Sequence, residues 1–225
     1  MKTNRSEWKV AAALIGLSIV PAVAGSVRLA DLARGSIITP ENARFHAAPF
    51  PVVLHIPAAI LFSIVGALQF VPSFRRRHRQ WHRTAGRILA PCGLVAALSG
   101  LWMAQFYPSP PGDGWMVYVE RLVFGSAMVA SILFALAAVR RRDFAVHGAW
   151  MTRGYAIGLG AGTQVLTHIP WFVLVDRRPG ELARGVMMGA GWVINILVAE
   201  SILRRDSARS GRRRAAVAEH ALGVT

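Results

Sequence analysis

Long apolar runs alternate with short polar segments along most of the chain. Six apolar runs, each roughly 20 residues long, are Val10–Leu32, Phe50–Phe74, Ile88–Tyr107, Trp115–Val139, Tyr155–Val175 and Val186–Leu203. A run of this length can cross the hydrocarbon core of a bilayer as an α-helix. Backbone groups in lipid must be hydrogen-bonded internally, and the sequence lacks the short alternating segments of barrel strands. The pattern therefore predicts an all-α protein, a polytopic membrane helix bundle with six transmembrane helices.

The composition favours a membrane protein over a soluble one. Hydrophobic residues make up 54% of the 225 residues and charged residues 16%, whereas soluble domains carry about 25% charged residues. The mean hydropathy is +0.41. We expect a six-helix transmembrane domain over residues 1–203, with its core over residues 50–175, and a basic, disordered cytoplasmic tail over residues 204–225. Cys92 is the single cysteine, so an intrachain disulfide is excluded.

The basic residues are distributed unequally between the two sides of the predicted bundle. If the N-terminus is cytoplasmic, 19 of the 26 Lys and Arg residues fall on the cytoplasmic side. The positive-inside rule therefore predicts that both termini and both arginine-rich loops face the cytoplasm. The chain has no exposed domain that combines basic residues with stacking or groove-reading groups, so we expect no nucleic-acid binding. The tail is expected to lie on anionic lipid headgroups.

The first apolar run also resembles a signal peptide. Ala22, Val23 and Ala24 precede Gly25 in the pattern of a cleavage site, and cleavage there would leave five spans. Mostly apolar sequence continues to Leu32, which favours retention of the first helix. The other five helices keep their predicted orientation in either case.

Two segments 65 residues apart form an internal repeat. At this offset Arg75–Arg77 corresponds to Arg140–Arg142, and His82 corresponds to His147. The arginine match alone would follow from topology, but Gly93 also corresponds to Gly158. The repeat predicts that hairpins 50–107 and 115–175 are related by an axis along the membrane normal. His82 and His147 would then lie at equal depth and become candidate cofactor ligands; the alternative is two interfacial imidazoles among lipid headgroups.

Small residues follow each of these histidines along one helix face. His82 shares a stripe with Gly86, Gly93 and Gly100, and His147 shares an equivalent stripe with other small residues of the fifth span. Small residues leave room for a flat ligand, but they also allow two helices to pack closely in lipid. The sequence leaves both interpretations open.

A second candidate site consists of ionisable residues near the outer ends of three spans. His55 and Glu120 correspond to each other in the repeat, and His168 lies at a similar predicted depth. Such residues are costly within a membrane and usually face the bundle interior. Two histidines and a carboxylate could bind Zn²⁺ or Fe²⁺, or relay protons. In the alternative interpretation, Glu120 forms an ion pair with Arg121 or Arg44.

Further polar residues are predicted within or next to the spans, where they either take part in a site or hold helices together. They are Gln69, Arg87, Arg153, Gln164 and Asn195.

Three short motifs resemble a known family. Leu54-His55 with Gly66-x-x-Gln69, His82-Arg83-x-x-Gly86-Arg87 and His147-x-x-Trp150-Met151-x-Arg153 are similar to the multi-pass membrane proteins catalogued as domain of unknown function 2306. The resemblance covers roughly residues 50 to 170. It implies a membrane protein, mostly found in bacteria and therefore expected in the inner membrane. It implies no reaction.

Three functional interpretations follow from these residues. In the first, the protein is a redox protein in which His82 with His147, or His55 with His168, binds haem b between helices. The spacing of His147 and His168 is 21 residues, or about 31 Å of helix, so two haems would lie close to opposite surfaces. In the second, a membrane-embedded enzyme acts on a lipophilic substrate. In the third, the protein is a small-molecule transporter or an assembly partner. The partners we expect are the lipid bilayer and, for the redox protein, a membrane redox protein or a quinone.

Overall fold

A computed structural model of the protein describes residues 5–175 and 177–221, without the side chains of 210 and 213–221. Lys2, which was counted among the cytoplasmic basic residues, and residues 222–225 of the predicted tail lie outside the described residues. Every regular element that the structure describes is helical. The α-helices are α1 Arg5–Arg34, α2 Ala43–Ala47, α3 Pro49–Ile60, α4 Pro72–Arg77, α5 Arg79–Phe106, α6 Trp115–Arg140, α7 Phe144–Gly158, α8 Gly160–Leu174 and α9 Glu181–Ala221.

The predicted bundle of transmembrane helices is confirmed. Within the described residues, five helical segments are long and apolar enough to cross a membrane, and α7 with α8 makes a sixth if the pair counts as one span. Apolar side chains such as Val23 of α1 and Leu98 of α5 are more than half exposed, in keeping with surfaces that face lipid.

The fifth predicted span is two helices rather than one. Helices α7 and α8 meet at Leu159 and are bent by 45° relative to each other. Three of the five residues from Gly158 to Gly162 are glycine, the residue that most weakens a helix interior after proline. Gly162 also lies against the backbone of Leu17 in α1, where a side chain would collide with the neighbouring helix. Close packing of α1 and α8 therefore accompanies the bend.

The second span changes its helical geometry along its length. After α3, the chain forms a π-helical turn over Leu61–Val65 and a 3₁₀ turn over Leu68–Phe70 before α4. Pro57 lies inside α3 and removes one backbone donor. In the π-helical turn, the carbonyl of Ser63 accepts a hydrogen bond of 2.5 Å from the hydroxyl of Tyr155 in α7. The irregular second span is thus joined to α7 across the bundle.

The predicted termini and arginine-rich loops lie at one end of the molecule, called here the arginine-rich end. Glu7, at the start of α1, accepts a hydrogen bond from the backbone of Ser73 beside the first arginine run. His82 of α5 and His147 of α7 are close enough for their charges to interact. Asp113, in the loop between α5 and α6, marks the opposite end.

The core lies where the two hairpins meet. Phe62, Ile132 and Tyr155 are almost fully buried. A Cβ added at Gly93 would lie 2.6 Å from a ring carbon of Phe62, and one added at Gly158 would lie 2.8 Å from another carbon of the same ring. The two glycines that correspond in the repeat therefore contact one shared aromatic side chain.

The backbone of the predicted tail is helical over its described part. Helix α9 continues without interruption from the last span to Ala221. The segment is rich in alanine and arginine, two of the best helix formers, and it extends a helix that has already been nucleated. The boundary predicted at residue 203 is a change of polarity and not the end of the helix.

Candidate functional site

The two repeat-related histidines lie close together near the arginine-rich end. The Nδ1 of His82 donates a hydrogen bond to Oε1 of Gln69, and the Nδ1 of His147 donates one of 3.0 Å to the carbonyl of Ala135. Gln69 precedes His82 by 13 residues, and Ala135 precedes His147 by 12. Both rings are thus anchored to the preceding span, at positions that differ by one residue in the repeat, one through a side chain and the other through a backbone carbonyl.

The hydrogen bonds at Nδ1 determine which ring nitrogen of each histidine can bind a ligand. A carbonyl oxygen only accepts, so Nδ1 of His147 carries the proton and Nε2 carries a lone pair. The hydrogen bond from His82 to Gln69 Oε1 places the lone pair of His82 on Nε2 in the same way. No described residue forms a hydrogen bond with either Nε2. The pair therefore presents two unoccupied imidazole nitrogens.

Two features next to His82 leave capacity for a ligand. The side-chain Nε2 of Gln69 is buried and has no hydrogen-bond partner among the described residues. A Cβ added at Gly86, one turn after His82, would meet no atom within 4 Å. A buried amide donor without a partner is unusual and costly, so it requires an explanation such as an absent ligand or water.

Farther along the two stripes, the small residues serve helix packing. Gly93 and Gly158 contact Phe62, and Gly100 lies against the ring of His55. The interpretation in which small residues allow close contact therefore applies to this part of the stripes. Open space remains at Gly86 only, among the three glycines of the His82 stripe.

The structure does not bring the three predicted metal ligands at the opposite end together. Among residues 5–175 and 177–221, no three His, Cys, Asp or Glu side chains are arranged to hold a metal ion. His55 donates to the carbonyl of Ala96 in α5, whereas His168 donates to the carbonyl of Gln164 in its own helix. Glu120 packs against Gly189 of α9. The sequence predicts a similar depth for the three residues, but their side chains contact different neighbours.

Glu120 forms no direct ion pair with Arg121 or Arg44, although the charge of Arg121 is close enough to interact with it. Arg121 forms its ion pair with Asp113 at 2.6 Å. Oε2 of Glu120 is buried and accepts no hydrogen bond within the described part of the chain.

His55 lines a half-open groove of about 110 Å³. The groove lies between α1, the second span and the junction of α7 and α8, and its polar lining residues include Ser18 and Ser63. The Nδ1 of His55 is bound to Ala96 O at 2.8 Å and lies 3.1 Å from Ser99 Oγ. Its Nε2 has no hydrogen-bond partner among the described residues and carries a lone pair.

The remaining predicted polar residues mostly join helices. Gln164 donates to the carbonyl of Met188 at 3.1 Å, and Asn195 accepts from Thr163 at 2.7 Å. Arg153 forms an ion pair of 2.6 Å with Glu200. These contacts connect α7 and α8 to α9. The residues therefore hold helices together, which is one of the two roles that the sequence left open for them. Arg87 is exposed.

Two interactions were not predicted from the sequence. One is the hydrogen bond from Tyr155 to Ser63, which depends on the π-helical turn. The other is the pairing of Asp113 with both Arg121 and Arg184. Asp113 does carry a sequence signal, since it stands in a short glycine-rich and proline-rich loop whose flanking helices bear arginines.

Comparison with known proteins agrees with this architecture. A family model described as "Predicted membrane protein (DUF2306)" matches residues 52–203. This segment includes both members of the histidine pair and excludes α1. No curated protein and no solved structure matches the chain.

Proposed function

The chain belongs to the DUF2306 family of predicted membrane proteins. From the geometry of the histidine pair, we propose that it is a redox protein of the bacterial inner membrane in which His82 and His147 bind a metal centre. Both termini and the arginine-rich end face the cytoplasm in this proposal, as the positive-inside rule predicts. Haem b is the form of centre that we favour, because helix bundles commonly bind haem iron between imidazoles from two helices. When bound, the iron supplies one-electron chemistry.

One observation carries the proposal: both imidazoles are anchored through Nδ1 and leave Nε2 free, at neighbouring positions in the bundle. Histidines that bind metals typically donate their other ring N–H to a carbonyl, carboxylate or water, which fixes the ring and raises the basicity of the ligating nitrogen. The carbonyl of Ala135 has this role for His147, and the amide oxygen of Gln69 has it for His82. Two preorganised neutral imidazoles suit iron better than a carboxylate-loving cation such as Mg²⁺.

The surroundings of the pair fit a redox centre in two further respects. Arg75 and Arg83 lie close enough to His82 for their charges to interact with it, and such cations would stabilise a reduced centre or the propionates of a haem. The buried core beneath the pair, which includes Phe62 and Tyr155, would keep water from the inner face of the centre.

An absorption spectrum of the full-length protein purified in neutral detergent tests the proposal. We expect a Soret band that shifts on reduction with dithionite, and near-stoichiometric iron by elemental analysis. His82→Ala and His147→Ala should each lower the bound iron at least about fivefold, because losing one of two ligands removes much of the binding free energy. The matched control is His78→Ala, since His78 is exposed and outside the pair.

A colourless protein without a stoichiometric transition metal, purified from cells supplied with iron and a haem precursor, would contradict the proposal. Loss of the Soret band in His78→Ala as well would show that the absorbing group does not depend on this pair. Size-exclusion profiles of all three variants identify any variant that fails to fold.

A second candidate function rests on the groove at His55. Its Nε2 carries a lone pair, so the best partner is a ligand hydroxyl that donates a hydrogen bond. The groove opens beside α1, whose Val20 and Val23 are more than half exposed, as expected for a lipid-facing surface. A lipophilic molecule with a hydroxylated ring, such as a quinol, fits this combination. Such a molecule would be the electron donor of the redox protein or the substrate of a membrane-embedded enzyme.

A further inference from the structure

Four arginines from four different helices form a connected group at the end opposite the arginine-rich end, and two of them pair with one carboxylate. Asp113 pairs with Arg121 of α6 at 2.6 Å and also with Arg184 of α9. The side chain of Asp113 is 2% exposed, so both pairs are shielded from water. Arg28 of α1 and Arg44 of α2 complete the group, since both are close enough to Asp113 or to one another for their charges to interact.

Arg28 and Arg44 share one aromatic ring. The Cζ atoms of Arg28 and Arg44 lie 4.8 Å and 4.6 Å from the ring centroid of Phe45. Tyr107 holds this ring in place through an edge-on contact with a centroid separation of 5.6 Å. Neither arginine forms an ion pair with a described carboxylate. Two cations that lie against the same ring repel each other. The attraction between the ring and each cation offsets only part of this repulsion.

The group as a whole has an excess of positive charge. Burial of Arg44, together with the charges of Arg121 and Arg28, lowers the pKa of Arg44, and Asp113 offsets this only in part. Set against Asp113 and an ionised Glu120, which interacts with Arg121, the four arginines leave an excess of two positive charges. Asp31, three residues after Arg28, and Glu181, whose side chain lies against Gly114, are also nearby, but neither forms an ion pair with these arginines. Of the nearby acidic residues, Glu41 interacts with Arg178 instead.

The aromatic residues around the group indicate its depth. Phe50, Phe106 and Trp115 stand at the ends of α3, α5 and α6 on this side, and they are 71%, 64% and 77% exposed. Exposed aromatic side chains at the ends of spans are typical of the membrane–water interface. The arginines therefore lie at the level of the lipid headgroups.

We propose that Arg28, Arg44 and Arg121 form a binding site for a phosphate group, which in the bilayer is that of an anionic phospholipid. Guanidinium groups bind phosphate oxygens in pairs of parallel hydrogen bonds, and they do so most strongly where water is partly excluded. A phosphate diester bound here supplies the missing negative charge and faces the two arginines that lack an ion pair. The acyl chains of the same lipid extend along the apolar surface below Phe50.

The full-length protein in dodecyl maltoside provides the test. Unfolding temperature and native mass spectra are recorded with added phosphatidylglycerol, with phosphatidylcholine of the same acyl chains, and with inorganic phosphate. We expect phosphatidylglycerol to raise the unfolding temperature and to remain bound in the spectra, and phosphatidylcholine to do neither. Arg44→Gln and Arg28→Gln should each weaken this binding roughly five- to tenfold. Arg34→Gln, a nearby exposed arginine outside the group, should bind as the wild type does.

The three ligands distinguish the sources of the phosphate. If inorganic phosphate competes with the lipid and depends on Arg44, the site recognises phosphate itself and a soluble phosphate ester is the better ligand. If phosphatidylglycerol and phosphatidylcholine bind equally, or if Arg44→Gln and Arg28→Gln both bind phosphatidylglycerol as well as Arg34→Gln does, the proposal is wrong. Because Arg28 and Arg44 lie on different helices, a folding defect in one variant leaves the other to decide.

Discussion

At the scale of single residues, the histidines of the bundle share one mode of hydrogen bonding. His55, His82, His147 and His168 all use Nδ1 to reach an oxygen atom, and in three of the four the acceptor is a backbone carbonyl. Each ring is thereby held as the Nδ1–H tautomer with a lone pair on Nε2. The four differ in what their Nε2 faces, and this decides which of them can bind a ligand.

His55 allows a direct test of the second candidate function. We expect decylubiquinol to bind the detergent-solubilised protein saturably, and His55→Leu to weaken binding at least about tenfold, because a buried ligand hydroxyl loses its acceptor. Thermophoresis with decylubiquinol as the titrant measures both affinities. His46→Leu, in α2 and outside the groove, should leave the affinity unchanged. Equal binding by wild type and His55→Leu would exclude the groove as the quinol site.

The sequence predicted that His82 and His147 lie near each other, but it did not predict the neighbours of the outer residues. The repeat offset placed His82 and His147 together because the same offset fixes both depth and orientation within a hairpin. His55, Glu120 and His168 were grouped by depth alone, and depth says nothing about the direction in which a side chain leaves its helix. Glu120 therefore packs against α9, a helix that the repeat does not include.

At the scale of elements, the bend between α7 and α8 and the close contact of α1 with α8 go together. The backbone of Leu17 in α1 lies against Gly162, and an added Cβ there would approach the Leu17 carbonyl carbon to 2.9 Å. The apolar pattern predicted the end of this span but placed its start at Tyr155, whereas α7 begins at Phe144, because the pattern registers apolar residues and not the more polar first turns of the helix. It did not predict the bend, since helix packing and local glycine content determine the direction of the helix axis.

Gly162→Ala should destabilise the protein by about 1–3 kcal/mol, because the new methyl group has to displace backbone rather than a flexible side chain. Gly148→Ala in α7 is the matched control: its Cβ would meet no atom within 4 Å, and alanine favours helix over glycine by up to about 1 kcal/mol. Thermal unfolding in detergent should thus shift in opposite directions for the two variants. An unchanged unfolding temperature in Gly162→Ala would show that α1 is not packed as described.

At the scale of the whole molecule, the contacts in the structure and the distribution of basic residues place the same segments at the arginine-rich end. The hydrogen bond of Glu7 with Ser73, the nearness of His82 to His147 and the ion pair of Arg153 with Glu200 all hold segments of the arginine-rich end together. The sequence predicted this grouping from the count of basic residues, which depends only on the order of the spans. Which side of the membrane that end faces is a separate matter that fusions can decide.

Reporter fusions should place the two ends on opposite sides of the membrane. Alkaline phosphatase fused after Arg79 should be inactive, because that loop carries arginines that the positive-inside rule keeps in the cytoplasm, and a fusion after Ser109 should be active. Enzyme activity normalised to the amount of fusion protein measures both. An active fusion at Arg79 would reverse the orientation and place the histidine pair near the outer surface.

Helices α1 and α2 lie outside the segment that matches the family model. The family match begins at residue 52, so the histidine pair and Gln69 lie in the common segment, whereas α1 and α2 precede it. Yet α1 forms one wall of the groove, and Arg28 and Arg44 belong to α1 and α2. We therefore expect the histidine centre to be general among relatives. The lipid-facing entrance to the groove and its preference for a lipid headgroup should differ between relatives, according to the helix that precedes the common segment.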